Sequence, residues 1–127
     1  GADAVTAGGA VVNKIGTSQI ALAAHEARVP FLVATETYKF APDTLLGERI
    51  TIEERSPDEV MSDEAAGGMP NVRVRNPAFD VTPAAYVDVI ITEAGAIPPA
   101  MACVIIRDYL GWNPREWQKN FLIDHKE

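Results

Sequence analysis

Three polar residues near the start of the chain, Asp3, Asn13 and Lys14, have types that could do chemistry, and a glycine pair, Gly8-Gly9, separates the acid from the other two. A carboxylate at a turn can exchange a proton with a bound substrate. An amide and a lysine at the start of a helix can hold a phosphate, because the free N–H groups of the helix add to the lysine's charge. The simpler alternatives are a turn-capping aspartate and a helix cap beside a solvated lysine, and the local pattern leaves both open.

A second cation follows in the segment "ETYKF", where Lys39 comes shortly after a short apolar run. If that run is a strand, Lys39 lies near its end and could reach the same anionic ligand as Lys14. The alternative is an ordinary surface lysine. Local chemistry therefore predicts an α/β domain that is suited to a phosphate and has an acid nearby.

The remaining polar groups indicate structural roles. The paired acids of "IEER", 52–55, are typical of a solvated strand edge rather than of a catalytic dyad, and "NPAFDVTP", 76–83, reads as a rigid structural loop. Glu93 could face a site or a partner subunit, and the sequence leaves this open. His25 lacks a partner at metal-ligand spacing, and Cys103 lies in an apolar helical run, so we expect no metal site and an inert thiol.

Composition excludes several classes of protein. The chain has 127 residues, and its net charge of −7 comes from 18 acids against 11 lysines and arginines. General nucleic-acid binding needs a dense basic surface, so we expect no nucleic-acid partner. No apolar run approaches the roughly 20 residues of a transmembrane helix, so we expect no membrane association. A single cysteine fits a reducing compartment, and the predicted location is the cytoplasm.

The order of elements predicts an α/β fold. Apolar runs that are typical of buried strands alternate with helical patterns, and ligands bind beyond the carboxyl ends of the strands in such folds. We expect a mainly parallel sheet with helices on both faces. The predicted helices are 13–28, with an apolar face that includes Ile20 and Leu22, 82–87 and 99–110; the predicted strands are 31–36, 50–55 and 88–95; and 61–70 is predicted to be a loop.

The opening "GAD" reads as the end of a strand that feeds a turn, yet no apolar strand precedes it. We therefore expect these residues to be a piece of a longer protein that lacks its lead strand.

Several separated motifs together resemble one family. The segments are "GADAVTAGGAVVNKIGTSQIALAAHEARVPFLVATETYKF", "IEER", "NPAFDVTP" and "IITEAGAIPP". They resemble the translation initiation factor 2B alpha/beta/delta family, which also contains isomerases of methylthioribose 1-phosphate and of ribose 1,5-bisphosphate. "ETYKF" favours the archaeal ribose 1,5-bisphosphate isomerases, because the methylthioribose enzymes usually carry a "TSTFD"-like segment there. The resemblance covers 1–112, which it implies to be a C-terminal Rossmann-like domain, and leaves 113–127 as a polar tail.

The resemblance implies specific roles. Asp3 matches the family's catalytic acid, Asn13 and Lys14 match substrate-binding residues, and Lys39 matches a further substrate-binding lysine. The implied reaction converts ribose 1,5-bisphosphate into ribulose 1,5-bisphosphate without a cofactor. The family's catalytic cysteine lies in an N-terminal half that these residues do not include, and Cys103 is not its counterpart.

The resemblance also leaves two functions open. One is part of a sugar-phosphate isomerase that forms a homo-oligomer through this domain. The other is a non-catalytic subunit related to initiation factor 2B, which binds partner proteins. Such subunits often lose the acid, so the presence of Asp3 together with Asn13, Lys14 and Lys39 favours the enzyme.

Overall fold

The fold combines two three-stranded sheets with a few short helices, as seen in a computed structural model that describes residues 1–46 and 49–111. The first sheet has the strand order β1-β2-β4. Its strands are β1 (Ala4–Val5), β2 (Val11–Lys14) and β4 (Phe79–Thr82), and all of them pair antiparallel.

The second sheet has the order β3-β5-β6, with β3 at Leu32–Ala34, β5 at Val89–Thr92 and β6 at Gly95–Ile97. β3 and β5 are parallel, with Val33 opposite Ile90, whereas β5 and β6 are antiparallel. Strands β3 and β5 lie within the apolar runs that predicted strands, but Val33 and Ile90 are their only buried residues, so the expectation of strands buried on both faces is wrong.

The expectation of a mainly parallel sheet is wrong for the described residues, because three of the four strand pairings are antiparallel. Short connections explain this. β1 and β2 are joined by the turn 6–10, and β5 and β6 by Glu93 and Ala94 alone. A parallel pair needs a long crossover, and only the connection from β3 to β5 provides one.

The first helix is shorter at both ends than the predicted helix 13–28. Helix α1 spans Thr17–Glu26 and begins four residues later than expected, because 11–14 form β2. Its apolar side chains do not all face the core: Ile20 is 65% exposed and Leu22 is 52% exposed, whereas Ala21 is fully buried. Small residues therefore make the contact with the sheet, and the larger ones lie outward.

The remaining helical segments are short. Helix α2 (Asp63–Gly67) forms within the predicted loop 61–70, and Ser62 caps it by accepting a hydrogen bond from the Ala65 amide. A continuous helical stretch contains a 3₁₀ turn (Pro99–Met101), α3 (Ala102–Val104) and a π turn (Ile105–Tyr109), close to the predicted 99–110. Further 3₁₀ turns lie at Thr37–Lys39, Pro42–Leu46, Pro57–Glu59 and Ala84–Tyr86.

Two of the other predicted elements are shorter than expected. The predicted strand 50–55 is reduced to an isolated bridge between Glu54 and Pro77, and the predicted helix 82–87 is a single 3₁₀ turn preceded by β4.

One hydrophobic core joins both sheets to the C-terminal helical stretch. Ile90 and Ile106 are its largest fully buried side chains. The core consists of Val5, Val11, Val33, Phe40, Val87, Ile90, Ile97, Ala102 and Ile106. β1 contributes Val5 to this core, and the segment after β3 contributes Phe40. The core therefore fixes the backbone close to two candidate residues, Asp3 and Lys39.

Candidate functional site

The turn between β1 and β2 brings Asp3 next to Asn13. Ala4 lies opposite Val12 in the antiparallel register, and the Asp3 amide donates a hydrogen bond of 2.8 Å to the Val12 carbonyl. The turn is closed by the Gly9 amide, which donates to the Thr6 carbonyl at 2.9 Å. This turn contains Gly8-Gly9, and it brings the backbone of Asn13 back beside that of Asp3.

Asn13 and Lys14 do not begin a helix, and the prediction that they do is wrong. They are the last two residues of β2. The Asn13 side-chain amide donates to the Thr17 hydroxyl at 3.1 Å, and that hydroxyl donates to the Lys14 carbonyl at 2.7 Å. Lys14 is exposed, and its Nζ lies 5.9 Å from the centre of the Phe79 ring on β4.

The free amides at the start of α1 are taken by Asp80. Its carboxylate accepts hydrogen bonds from the Gly16 amide at 2.8 Å and from both the amide and the hydroxyl of Ser18. An aspartate here satisfies the N–H groups and complements the helix dipole, as a local capping residue would. The dipole of α1 is therefore already neutralised, and a phosphate near Lys14 must be held by side chains.

Lys39 lies on the opposite side of β1 from Asn13. It ends the 3₁₀ turn Thr37–Lys39, and the next residue, Phe40, forms a parallel bridge with Val5. The Ala41 amide donates to the Val5 carbonyl at 2.8 Å, which extends this contact. Three extended segments thus run side by side: 40–41, β1 and β2. The backbone brings the neighbourhood of Lys39, Asp3 and Asn13 to one region of the first sheet.

Glu93 anchors the turn that carries Lys39. Its carboxylate accepts hydrogen bonds from the Thr37 amide, at 3.1 and 3.0 Å to the two oxygens, and from the Thr37 hydroxyl. The hydrogen bond from the Thr37 hydroxyl lowers the pKa of Glu93, and the amide contributes in the same direction. The sequence left the role of Glu93 open, and only its position near the end of the predicted strand 88–95 marked it.

Two residues of "IEER", Glu54 and Arg55, form ion pairs, as expected of a solvated edge. Glu54 pairs with Arg75 at 2.7 Å, and Arg55 pairs with Glu59 at 2.8 Å. The hydrogen bond from Arg75 lowers the pKa of Glu54, and that from Arg55 lowers the pKa of Glu59. Asn76 joins the two pairs through its backbone amide and its side chain. These contacts tie the loop 53–59 to the segment before β4.

The other candidates keep structural roles within the described residues. The Cys103 thiol is half-buried and lies 3.7 Å from the Ala100 carbonyl, and the ring of His25 lies 4.8 Å from that of Tyr86. Among residues 1–46 and 49–111, no three His, Cys, Asp or Glu side chains are grouped so that they could hold a metal ion. In the same part of the chain, no helix has the length and apolar character needed to cross a bilayer. The predicted tail 113–127 and Trp112 lie outside the described residues.

A shallow pocket of about 340 Å³ lies where β3 and β5 end, and Glu36 and Glu93 are among the residues that line it. This is the edge at which parallel strands usually receive ligands. Asp3, Asn13 and Lys14 do not line it. The candidate residues on β1 and β2 are therefore not part of this pocket.

A scan against family models matches the initiation factor 2 subunit family over residues 1–99. The chain belongs to this family. Its members include ribose 1,5-bisphosphate isomerases from Archaeoglobus fulgidus, 64% identical over 112 residues, and from Methanocaldococcus jannaschii, 63% identical over 114 residues. Each alignment covers 88% of this chain, and the chain spans only about a third of each relative: 35% and 36%.

Solved structures of family members have the same fold over most of the chain. The translation initiation factor eIF-2B subunit delta from A. fulgidus superposes with a TM-score of 0.67 at 35% identity, over 87% of this chain and 32% of that one. The 5-methylthioribose 1-phosphate isomerase from Pyrococcus horikoshii gives a TM-score of 0.64 at 36% identity, over 88% of this chain and 31% of that one. The family therefore includes proteins named as isomerases and as translation factors.

Proposed function

We propose that this chain contributes the acid/base residue and part of the phosphate-binding site to an enzyme that converts ribose 1,5-bisphosphate into ribulose 1,5-bisphosphate. The observation that carries the proposal is the arrangement of the first sheet, where β1 lies between β2 with Asn13 and the segment with Lys39. Identity of 64% to a protein named ribose 1,5-bisphosphate isomerase supports it. The chain matches only 35% of that relative's length, so we propose that further parts of the site come from outside these residues.

The reaction requires a proton to move between neighbouring carbons. The bond between C1 and the ring oxygen O4 breaks, the hydrogen of C2 is transferred to C1, and the C2 hydroxyl becomes a carbonyl as its proton passes to O4. The 1- and 5-phosphates stay in place, and substrate and product have the same atoms and oxidation level overall. No redox cofactor is therefore consumed. We assign the proton transfer to the Asp3 carboxylate, which forms no hydrogen bond or ion pair through its side chain within residues 1–46 and 49–111.

The lysines would supply the charge that the substrate needs. The bisphosphate carries two phosphate groups, and each bond from an ammonium to a phosphate is a charge-assisted hydrogen bond. Lys14 and Lys39 lie on either side of β1, and neither forms an ion pair within the described part of the chain. Asn13 would add a neutral donor. Two focused cations explain how a chain with a net charge of −7 could still bind an anion.

We further propose that the protein forms a homo-oligomer in the cytoplasm and that these residues complete a Rossmann-like domain. The outer face of the second sheet supports association, because Leu32 and Ile91 are 50% and 42% exposed and Ala34 and Ala96 lie exposed beside them. An apolar sheet face of this kind is usually covered by another element or subunit.

The test is the variant Asp3→Asn in the polypeptide as it is natively expressed, assayed for ribulose 1,5-bisphosphate formation. Asparagine keeps the shape of the side chain but cannot exchange a proton at neutral pH. We expect kcat to fall by about 10²–10⁴-fold while KM stays within a few-fold. Asp43→Asn, a change of another exposed aspartate in a 3₁₀ turn, is the matched control.

The competing function is a non-catalytic translation subunit, because a similar solved structure at 35% identity is named as translation initiation factor eIF-2B subunit delta; the 64% identity to a named ribose 1,5-bisphosphate isomerase favours the enzyme. Under that function the natively expressed polypeptide does not turn over ribose 1,5-bisphosphate, and Asp3→Asn leaves binding to its protein partners unchanged. Near-normal turnover by Asp3→Asn would remove the central residue of the isomerase proposal.

A further inference from the structure

The hairpin between β5 and β6 holds Glu93 in a fixed place. The two strands are joined by Glu93 and Ala94, and Thr92 lies opposite Gly95. The Thr92 hydroxyl donates to the Gly95 carbonyl at 2.8 Å and accepts from the Ala94 amide at 3.1 Å. A tip this short, closed by the Thr92 side chain, fixes the backbone of Glu93 within reach of Thr37.

The turn that Glu93 holds is fixed at both ends. Thr37 is only 4% exposed, and the carboxylate takes both its amide and its hydroxyl. Within the turn, the Lys39 amide donates to the Glu36 carbonyl at 3.1 Å and the Phe40 amide to the Thr37 carbonyl at 3.0 Å. Beyond it, Phe40 is buried in the core beside β1. The backbone of Lys39 is therefore set by Glu93 on one side and by β1 on the other.

The Lys39 side chain remains available to an anion. It is half-buried, its Nζ lies 5.4 Å from the centre of the Tyr38 ring, and it forms no ion pair within residues 1–46 and 49–111. A cation held against an aromatic ring keeps its charge while losing some of its freedom. The turn that carries Lys39 therefore mainly determines which positions its Nζ can reach.

We propose that Glu93 is a positioning residue for Lys39, which it sets at the correct distance from a phosphate of the substrate by fixing the turn at Thr37. The inference rests on the proposed role of Lys39 in binding ribose 1,5-bisphosphate. We assign Glu93 no contact with the substrate phosphate, because its carboxylate binds Thr37 and would repel an anion. It acts only through the turn.

The first arm of the test measures kcat and KM for ribose 1,5-bisphosphate in the natively expressed polypeptide. We expect Glu93→Gln to raise KM about ten- to a hundredfold, the range that small misplacement of a binding group produces, with kcat within a few-fold. Glu36→Gln is the matched control, because Glu36 lines the same pocket and caps the same turn without a side-chain hydrogen bond. In a Lys39→Ala background, Glu93→Gln should raise KM further by less than about twofold, since the two changes remove the same interaction.

The second arm needs no activity. In the 127-residue chain without ligand, amide hydrogen exchange is compared for Thr37 and Lys39 in Glu93→Gln, Glu36→Gln and the unchanged protein. Thr37→Ser, which keeps the hydroxyl, should behave like the unchanged protein in both arms, whereas Thr37→Val should resemble Glu93→Gln. This pair replaces Glu93→Gln if that variant does not fold.

The outcomes separate the two proposals. Faster exchange at the turn together with a raised KM that disappears in the Lys39→Ala background supports the positioning role. If Lys39→Ala weakens binding but Glu93→Gln leaves KM unchanged, or adds fully to Lys39→Ala, the positioning role is refuted and the isomerase proposal stands. If Lys39→Ala leaves KM unchanged, the substrate role of Lys39 is refuted, and the positioning role with it, whatever the exchange rates are.

Discussion

Replacing Gly9 with alanine tests whether the turn between β1 and β2 is as tightly determined as the structure indicates. Gly9 has a φ of +86°, where residues with a side chain are rarely found. A Cβ atom built at Gly9 would lie 2.3 Å from the carbonyl oxygen of Pro99 and 2.6 Å from its carbonyl carbon. The turn therefore packs directly against the start of the C-terminal helical stretch, and the obstructing atoms belong to the backbone.

Two costs contribute to the expected effect of Gly9→Ala. The left-handed backbone costs roughly 1–2 kcal/mol for a residue with a Cβ. Overpacking against a backbone that cannot rotate away costs typically about 1–3 kcal/mol. We expect the free energy of unfolding to fall by about 2–5 kcal/mol. Gly8→Ala is the matched control: its Cβ would meet nothing closer than the Thr6 hydroxyl at 4.0 Å, so its effect should be within about 1 kcal/mol of zero.

Urea unfolding followed by far-ultraviolet circular dichroism measures both variants, with the free energies obtained by linear extrapolation. Comparable midpoints for Gly9→Ala and Gly8→Ala would refute the reasoning, because the close approach to Pro99 would then not exist in solution. A large fall in the free energy of unfolding of both variants would mean that the turn tolerates no side chain at either glycine. The contact with Pro99 would then not be the cause of the fall.

Three further predictions concern single charged groups. Asp80→Ala should lower the free energy of unfolding by about 0.5–2 kcal/mol through loss of the cap on α1, with Asp80→Asn losing less, both measured by urea unfolding. Lys14→Ala should raise KM for ribose 1,5-bisphosphate about tenfold or more while kcat stays within a few-fold, and an unchanged KM would exclude Lys14 from the phosphate-binding site. Because the pKa of Glu93 is lowered in the folded state, its contribution to stability is complete above the ordinary carboxyl pKa and is lost as pH falls through the lowered value. Glu93→Gln should therefore remove part of the acid-side loss of stability, which a pH series of urea midpoints would reveal.

The local sequence pattern correctly predicted the elements that have strong local signals. β3 and β5 follow apolar runs, and the helical stretch after Pro98 follows a proline start, so each could be placed from the sequence. The turn at Gly8-Gly9 was also predictable, because glycine is the residue that this backbone requires. The family-level assignment of Asp3, Asn13, Lys14 and Lys39 came from the resemblance, and local pattern alone left each of them open.

Pattern failed where long-range pairing decided the structure. Asn13 and Lys14 were predicted as the start of a helix, yet they belong to β2, which pairs with β4 along its whole length and with β1 at Val11 and Val12. That pairing can be seen only when β4, a strand far along the chain that contains Asp80, is brought beside β2. The prediction that Ile20 and Leu22 face the core was wrong for a similar reason. An apolar stripe on a helix does not indicate which surface, if any, will cover it.

The same long-range contacts separate two kinds of residue in the candidate site. Gly9, Asp80 and Glu93 hold backbone in place through packing and hydrogen bonds, whereas Asp3 and Lys14 are exposed side chains on segments that others hold. Changes at the first group should therefore alter stability or the geometry of a turn, and changes at Asp3 or Lys14 should alter turnover or affinity at nearly constant stability. A variant of Asp3 that lowered the free energy of unfolding as much as Asp80→Ala would contradict this division, because it would give the acid a structural role that no contact in the described residues supports.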